Sequence, residues 1–192
     1  FGVSLKHTST KSDKIILDDI KIGNYELDTI PEQIIQKHDI FISEIMADPS
    51  PAVDLPEHEY IELYNPSERD ININNWVYQN GTSKILLPNY KIKRNEALIL
   101  CKSTDTSEYS KYGNVIGLST WPSLLNNGSY LKIISDKEII IDEVNYSSTW
   151  YKDSRKVDGG YSLEYTSSKK ICEGSYLWSA SISESGGTPG QA

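Results

Sequence analysis

Carboxylates are the residues best able to do chemistry in this chain, because the 192-residue sequence has 27 Asp and Glu but only three histidines. His7, His38 and His58 show no i,i+4 spacing, and no G-x-S-x-G serine motif accompanies them. The sequence also lacks a P-loop and a G-x-G-x-x-G dinucleotide motif. We therefore predict a protein that is not an enzyme, with no catalytic residue, no cofactor and no metal ligand.

An acidic loop is the best alternative to that prediction. Asp48, Asp54, Glu57 and Glu59 lie close together, and clustered oxygen ligands are what Ca²⁺ prefers. Prolines interrupt the loop, and the spacing of an EF-hand is absent. We expect a solvated acidic loop, and calcium binding stays open.

Two further carboxylates, Glu44 and Glu62, lie in predicted strands that are close in sequence. Paired carboxylates across a sheet are the arrangement that glycoside hydrolysis requires. Glutamates on the outer face of a sheet are nevertheless common, so we expect both to be solvated.

Aromatic residues in loops are the third group. The chain has 13 Tyr and 4 Trp but only 2 Phe, and Tyr and Trp combine apolar area with a polar edge. Trp121, Trp150 and Tyr151 are predicted to lie in loops at the end of a sandwich, where aromatic side chains stack on sugars or hold peptides. They are the candidate ligand-binding residues, although packing in the fold is the favoured reading for them.

Composition limits the partners. A formal charge of -8 argues against nucleic acid, which needs a concentrated basic face. No apolar run approaches the ~20 residues that span a bilayer, so membrane insertion is not expected. Cys101 and Cys172 exclude a local zinc knuckle, and whether they form a disulfide stays open.

Short apolar or alternating runs between turn residues predict an all-β fold, a sandwich or barrel. One short helix is expected over Thr106–Tyr112, with Asp105 or Thr106 as N-cap. The predicted strands are Lys14–Ile22, Ile40–Met46, Glu59–Tyr64, Ile71–Val77, Lys84–Leu87, Ala97–Cys101, Tyr130–Ile134, Glu138–Tyr146 and Tyr161–Tyr165.

A proline-bearing, turn-like stretch over residues 28–37 predicts a domain boundary. Residues 1–37 are expected to be N-terminal strands and a linker, the end of an upstream domain, and residues 38–192 the main domain. The segment Leu17-Asp18-Asp19-Ile20-Lys21-Ile22-Gly23 resembles the closing strand of a laminin-G or concanavalin-like jelly roll.

Several motifs of the main domain occur in a characteristic order. They are Ile42-Ser43-Glu44-Ile45-Met46-Ala47-Asp48-Pro49, Glu59-Tyr60-Ile61-Glu62-Leu63-Tyr64-Asn65, Asn75-Trp76, Asn127-Gly128, Asp142-Glu143-Val144-Asn145-Tyr146, Ser162-Leu163-Glu164, Trp178-Ser179-Ala180-Ser181 and Gly186-Gly187-Thr188-Pro189-Gly190. This order, over about residues 39–192, resembles the bacterial lamin-tail domain. The resemblance implies an immunoglobulin-like β-sandwich used as an accessory module.

The predicted function is a non-catalytic interaction or spacer module of a secreted or cell-envelope multidomain bacterial protein. Its expected partners are other domains of that protein and, beyond them, a polysaccharide or an envelope protein. A carbohydrate-binding module that uses the loop aromatics is the first alternative. An accessory domain of an extracellular hydrolase is the second.

Overall fold

The structure is a computed structural model that describes residues 34–167 and 174–191. Within them the chain is nearly all β, as predicted, with one short helix, α1 (Thr106–Tyr109). The strands are β1 (Phe41–Met46), β2 (Tyr60–Tyr64), β3 (Ile71–Asn72), β4 (Val77–Asn80), β5 (Ser83–Leu86), β6 (Lys91–Ile92), β7 (Ala97–Lys102), β8 (Asn114–Leu118), β9 (Tyr130–Ile134), β10 (Ile140–Asn145), β11 (Leu163–Tyr165) and β12 (Trp178–Ala180).

The strands form a sandwich of two main sheets. One has six strands in the order β12-β11-β1-β2-β7-β8, and the other has four in the order β10-β9-β4-β5. Strands β3 and β6 form a separate two-stranded sheet. Strands β7 and β8 pair in parallel, and the other pairs are antiparallel.

The core lies between the two main sheets because alternate strand residues point to opposite faces. Ile61 and Leu98 of the six-stranded sheet belong to the same buried cluster as Tyr78 and Ile133 of the four-stranded sheet. Trp76, just before β4, fills this cluster and is 1% exposed. The alternation of residues in Glu59–Tyr64 predicts that Ile61 and Leu63 face the core, and the structure confirms this.

Two predicted elements need correction, and three strands were missed. The strand predicted over Ile71–Val77 is two short strands, β3 and β4, because the chain turns at Asn75, which has a φ of 61°. The helix ends at Tyr109 rather than Tyr112, and Asp105 stands at its N-cap position without a side-chain capping bond. Strands β6, β8 and β12 were not predicted.

The N-terminal part of the prediction lies outside the described residues. This holds for the strand Lys14–Ile22 and for the jelly-roll resemblance of residues 17–23. The compact unit described here begins at Ile35, and the boundary predicted after residue 37 stays a prediction. No helix among the described residues has the length and apolar character that crossing a membrane requires.

Candidate functional site

Three glutamates form a row across neighbouring strands of the six-stranded sheet. Glu44 of β1 lies directly opposite Glu62 of β2 and also directly opposite Glu164 of β11. Residues opposite one another in antiparallel strands share a face and lie close together. We call these three residues the glutamate row.

A β-bulge at Ser43 places Glu44 in this row. The register of β1 against β2 shifts between Ile42 and Glu44, so that Ile42 pairs with Leu63 and Glu44 with Glu62. Consecutive residues of β2 face opposite sides, so Ile42 and Glu44 also face opposite sides. Regular alternation would have put both on one face. The bulge therefore keeps Ile42 in the core and turns Glu44 away from it.

Glu44 is the central member of the row and is 2% exposed. Its Oε1 accepts hydrogen bonds from the Tyr60 hydroxyl at 2.6 Å, the Ser162 hydroxyl at 2.6 Å and the Thr188 backbone N–H at 2.9 Å. Its Oε2 is buried and has no hydrogen-bond partner. One oxygen of this carboxylate is therefore fully engaged, whereas the other is not.

The glycine-rich C-terminal segment Gly186–Gly190, which we call the clasp, covers the row. The Gly190 backbone N–H donates to Glu62 Oε2 at 2.5 Å, and the Thr188 hydroxyl donates to Glu164 Oε1 at 2.9 Å. With the bond from the Thr188 backbone to Glu44, each glutamate of the row accepts a hydrogen bond from the clasp. The glycines and proline of this segment predict extended backbone that can approach its neighbours closely, and the structure confirms this.

The clasp can approach because Gly187 has no side chain. A Cβ at this position would lie 2.6 Å from Glu44 Oε1, 2.8 Å from the Tyr60 hydroxyl and 2.8 Å from Leu55 Cδ1. Such separations are below ordinary van der Waals contact, so any larger residue would push the clasp away from the row.

The expectation that Glu44 and Glu62 are solvated is wrong, since both are buried, Glu62 at 1% exposure. Burial and the neighbouring Glu62 charge raise the pKa of Glu44 to about 8. Burial also raises the pKa of Glu62 to about 7, although hydrogen bonds from Ser43 and Gly190 oppose the shift. A carboxylate loses solvation when it is buried, which favours its neutral form.

A cleft of about 270 Å³ opens beside the row, and we call it the glutamate cleft. Glutamates of the row line one part of it, and aromatic rings line another. Its described lining residues include Glu44, Glu62, Glu164, Phe41, Tyr64 and Tyr165. Sequence reasoning missed Glu164 and the clasp as partners of this site. The available signal was a glutamate in the middle of each of three otherwise apolar strands.

Trp150 lies in a second cleft. It belongs to a 3₁₀ helix, Ser148–Tyr151, which starts after Ser147, whose hydroxyl accepts the Thr149 backbone N–H. The half-buried Trp150 ring packs on Trp178 with a centroid separation of 6.0 Å. Together with Tyr130 and Glu143 these residues line a cleft of about 450 Å³, which we call the Trp150 cleft.

Trp121 lies in a third cleft, of about 360 Å³, that also contains His58 and Asp105. Its indole Nε1–H donates to Glu59 Oε2 at 2.6 Å, and its ring stacks on Tyr78 with centroids 5.8 Å apart. The structure therefore places Trp121 and Trp150 in different clefts.

Tyr151, the third predicted ligand residue, points inward. It is 4% exposed, and its hydroxyl donates to the Tyr161 carbonyl at 3.1 Å. This position fits the packing role that the sequence analysis favoured. Ligand binding at Trp121 and Trp150 stays a prediction.

Three of the four carboxylates of the acidic loop accept hydrogen bonds from protein groups. Glu59 Oε2 accepts the Leu124 backbone N–H as well as the Trp121 indole, and Glu57 Oε1 accepts the Ala52 backbone N–H at 3.2 Å. Asp48 Oδ2 accepts from the Asn126 side chain at 2.6 Å. Among residues 34–167 and 174–191, no three His, Cys, Asp or Glu side chains are grouped to hold a metal ion.

Cys101 is a buried free thiol in β7, 0% exposed. Burial, with the Asp105 charge, raises the pKa of this thiol to about 12. Cys172, the partner considered for a disulfide, lies outside the described residues.

Two sheets packed around one core, with a bulged first strand, define an immunoglobulin-like β-sandwich. The Lamin Tail Domain family matches residues 34–148, which is more than half of the chain, and the chain belongs to this family. Lamin tail domains are non-catalytic, immunoglobulin-like modules of the protein-interaction type. A search of curated proteins finds no match. The clasp and Glu164 lie beyond the matched residues.

Proposed function

We propose that this lamin tail domain is a non-catalytic interaction module and that the Trp150 cleft is its contact surface. The observation that carries the proposal is the half-buried Trp150 ring beside Tyr130, which is 40% exposed, in one cleft of the sandwich. Aromatic residues that are only partly covered provide large contact areas at a small cost in conformational entropy, and they dominate protein interfaces.

The contacts of the titratable residues support a non-catalytic role. Both ring nitrogens of His58 lie near carboxylates, Nε2 at 3.0 Å from Glu108 Oε1 and Nδ1 at 3.7 Å from Asp105 Oδ2, so neither is directed at a serine or cysteine nucleophile. Glu44 and Glu62 accept hydrogen bonds from the clasp. These carboxylates thus have hydrogen-bond partners within the fold.

We further propose that the domain belongs to a multidomain protein that is secreted or attached to the bacterial cell envelope. Other domains of that protein, or an envelope protein, are then its natural partners. If a neighbouring domain is an extracellular hydrolase, the module serves as its accessory domain. Sequencing the full parent gene tests this part of the proposal.

Carbohydrate binding is the second candidate function, and the Trp150 cleft again supports it. Exposed Tyr and Trp faces stack on sugar rings, and Glu143 in the same cleft supplies an acceptor for sugar hydroxyls. The Tyr130 hydroxyl donates a hydrogen bond to Glu143. This bond holds the carboxylate beside the aromatic rings of the cleft.

A binding screen of the full chain tests both candidates. The panel contains soluble and insoluble polysaccharides, peptidoglycan, the neighbouring domains of the parent protein, and serum albumin as a control. Each binding partner is then measured again with Trp150→Ala and with Trp121→Ala. The two variants are matched, because they remove the same side chain from different clefts.

We expect one partner to be retained selectively, with binding lost in Trp150→Ala and kept in Trp121→Ala. Retention on a glycan favours the carbohydrate-binding function, and retention on a neighbouring domain favours the protein-interaction function. Equal binding by both variants would refute the assignment of the Trp150 cleft. If the chain binds no member of the panel, the result favours a role as a spacer between domains.

A further inference from the structure

The glutamate cleft holds carboxylate oxygens that the fold does not satisfy. Glu44 lines the cleft, is 2% exposed, and its buried Oε2 has no hydrogen-bond partner. Glu164 uses Oε1 for the Thr188 hydroxyl, and its Oε2 accepts no hydrogen bond from the described residues. A buried acceptor without a donor costs free energy unless a ligand or water supplies the donor.

The cleft is lined by acidic side chains. Three glutamates line it, and none of its described lining residues is Lys, Arg or His. Among residues 34–167 and 174–191, none of these glutamates forms an ion pair. A cation that brings N–H donors would find carboxyl acceptors here, and a nearby positive charge favours the ionised form of a buried carboxyl.

Aromatic rings form another part of the wall. The Phe41 ring makes edge contacts with Tyr64 and Tyr165, with centroids 5.7 and 5.4 Å apart. Aromatic faces attract ammonium groups within about 6 Å, and they also pack against a methylene chain. The wall thus suits a cation with an apolar stem better than a bare metal ion.

We propose that the glutamate cleft is a second binding site, which receives the ammonium group and methylene stem of a lysine side chain from a partner protein. The ammonium lies at Glu44 and Glu164, and the stem lies along the rings of Tyr64 and Tyr165. This site is separate from the Trp150 cleft, so the inference does not depend on the proposed function.

The volume of the cleft agrees with such a ligand. About 270 Å³ is several times the ~30 Å³ that one water molecule occupies in the liquid, and is enough for an extended lysine side chain. A divalent metal ion needs several oxygens converging at about 2.0–2.6 Å. The described part of the chain offers no group of three such ligands.

A peptide titration followed by NMR tests the site. The probe is the capped tripeptide acetyl-Gly-Lys-Gly-amide, added to the ¹⁵N-labelled full chain. Acetyl-Gly-Gln-Gly-amide, which has no charge, is the matched probe. We expect saturable shifts of the backbone amides of Glu164, Thr188 and Gly190 with the lysine peptide only.

Two variants assign the binding to the cleft. Glu164→Gln keeps the side-chain shape and an acceptor for Thr188, and we expect it to bind the lysine peptide about tenfold more weakly. Glu68→Gln, an exposed glutamate away from the cleft, removes the same charge and is expected to bind as the unmodified chain does. Tyr64→Ala is a second test, expected to weaken binding through loss of the aromatic wall.

The proposal is overturned if the lysine peptide causes no saturable shift in the unmodified chain. It is equally overturned if the glutamine peptide binds as well, or if Glu164→Gln and Glu68→Gln behave alike. A titration with CaCl₂ in place of the peptide tests whether the cleft binds a metal ion instead. Saturation of the same amides by Ca²⁺, with no response to the peptide, would show a metal site instead.

Discussion

Replacing Glu44 by Gln is expected to change how the stability of this domain depends on pH. Glu44 and Glu62 have pKa values of about 8 and 7 in the folded protein, against an ordinary value of 4.5. Between about pH 5 and pH 7 the folded state therefore holds protons that the unfolded state has released. Folding stability is greatest below the unfolded pKa and falls as the pH rises through the folded values.

The size of the effect follows from the number of protons involved. Each such group lowers the free energy of unfolding by at most about 1.4 kcal/mol per pH unit in this window. Glutamine carries no titratable proton, yet its amide oxygen still accepts the bonds that Tyr60, Ser162 and Thr188 give to Glu44. Glu44→Gln is thus expected to make the free energy of unfolding depend less steeply on pH, by at least the contribution of the Glu44 proton.

Urea unfolding followed by tryptophan fluorescence measures this slope at several values of pH between 5 and 8. Glu68→Gln is the matched control, since it makes the same change at an exposed position. We expect a shallower slope for Glu44→Gln and an unchanged one for Glu68→Gln. Equal slopes for Glu44→Gln and the unmodified chain, or stability that increases with pH in both, would refute the reasoning.

Three further predictions concern the packing of the sandwich. Gly187→Ala is expected to destabilise the domain by about 1–3 kcal/mol in thermal unfolding, because its Cβ would overlap the Glu44 carboxylate. Asn65→Ala is expected to cost about 2–4 kcal/mol in urea unfolding, because the two N–H groups of this fully buried amide are shared among three backbone carbonyls. Cys101 is expected to react with iodoacetamide only after unfolding, since its thiol is buried and its pKa is about 12.

Controls exist for each of these predictions. Gly81→Asn changes a glycine with open space around it, at a positive φ that asparagine tolerates, and Asn74→Ala changes an exposed asparagine. Both are expected to stay near the stability of the unmodified chain, and a loss as large as that of the buried variants would contradict the packing account. A Cys101 peptide found linked to Cys172 under non-reducing conditions would contradict the free thiol.

Local patterns in the sequence predict most strands of the described residues. β9 has the predicted bounds, and β2 differs by one residue from its prediction, because alternating Ile61 and Leu63 show directly which face is buried. β8 was missed, since it pairs in parallel with β7. A parallel partner is joined by a crossover rather than a tight hairpin turn, so no hairpin signal connects the two strands.

The candidate site could be predicted only in part. The sequence placed Glu44 and Glu62 in strands, but the bulge at Ser43 depends on pairing with β2 and has no local signal. The burial of Glu44 depends on Thr188, which lies 144 positions further along the chain. Loop tryptophans were found from composition and turn residues, whereas their separation into two clefts follows from the fold alone.

The most direct test of the interaction function observes the tryptophan side chains during binding. The chain has four tryptophans, so its ¹H–¹⁵N spectrum shows four indole N–H signals, which single Trp→Phe variants assign. The full chain is titrated with each soluble polysaccharide, peptidoglycan fragment and neighbouring domain of the panel. We predict that one partner shifts the Trp150 signal, whereas the signal of Trp121, whose indole N–H donates to Glu59, stays in place. A Trp150 signal that responds to no partner, or a response at Trp121 alone, would contradict it.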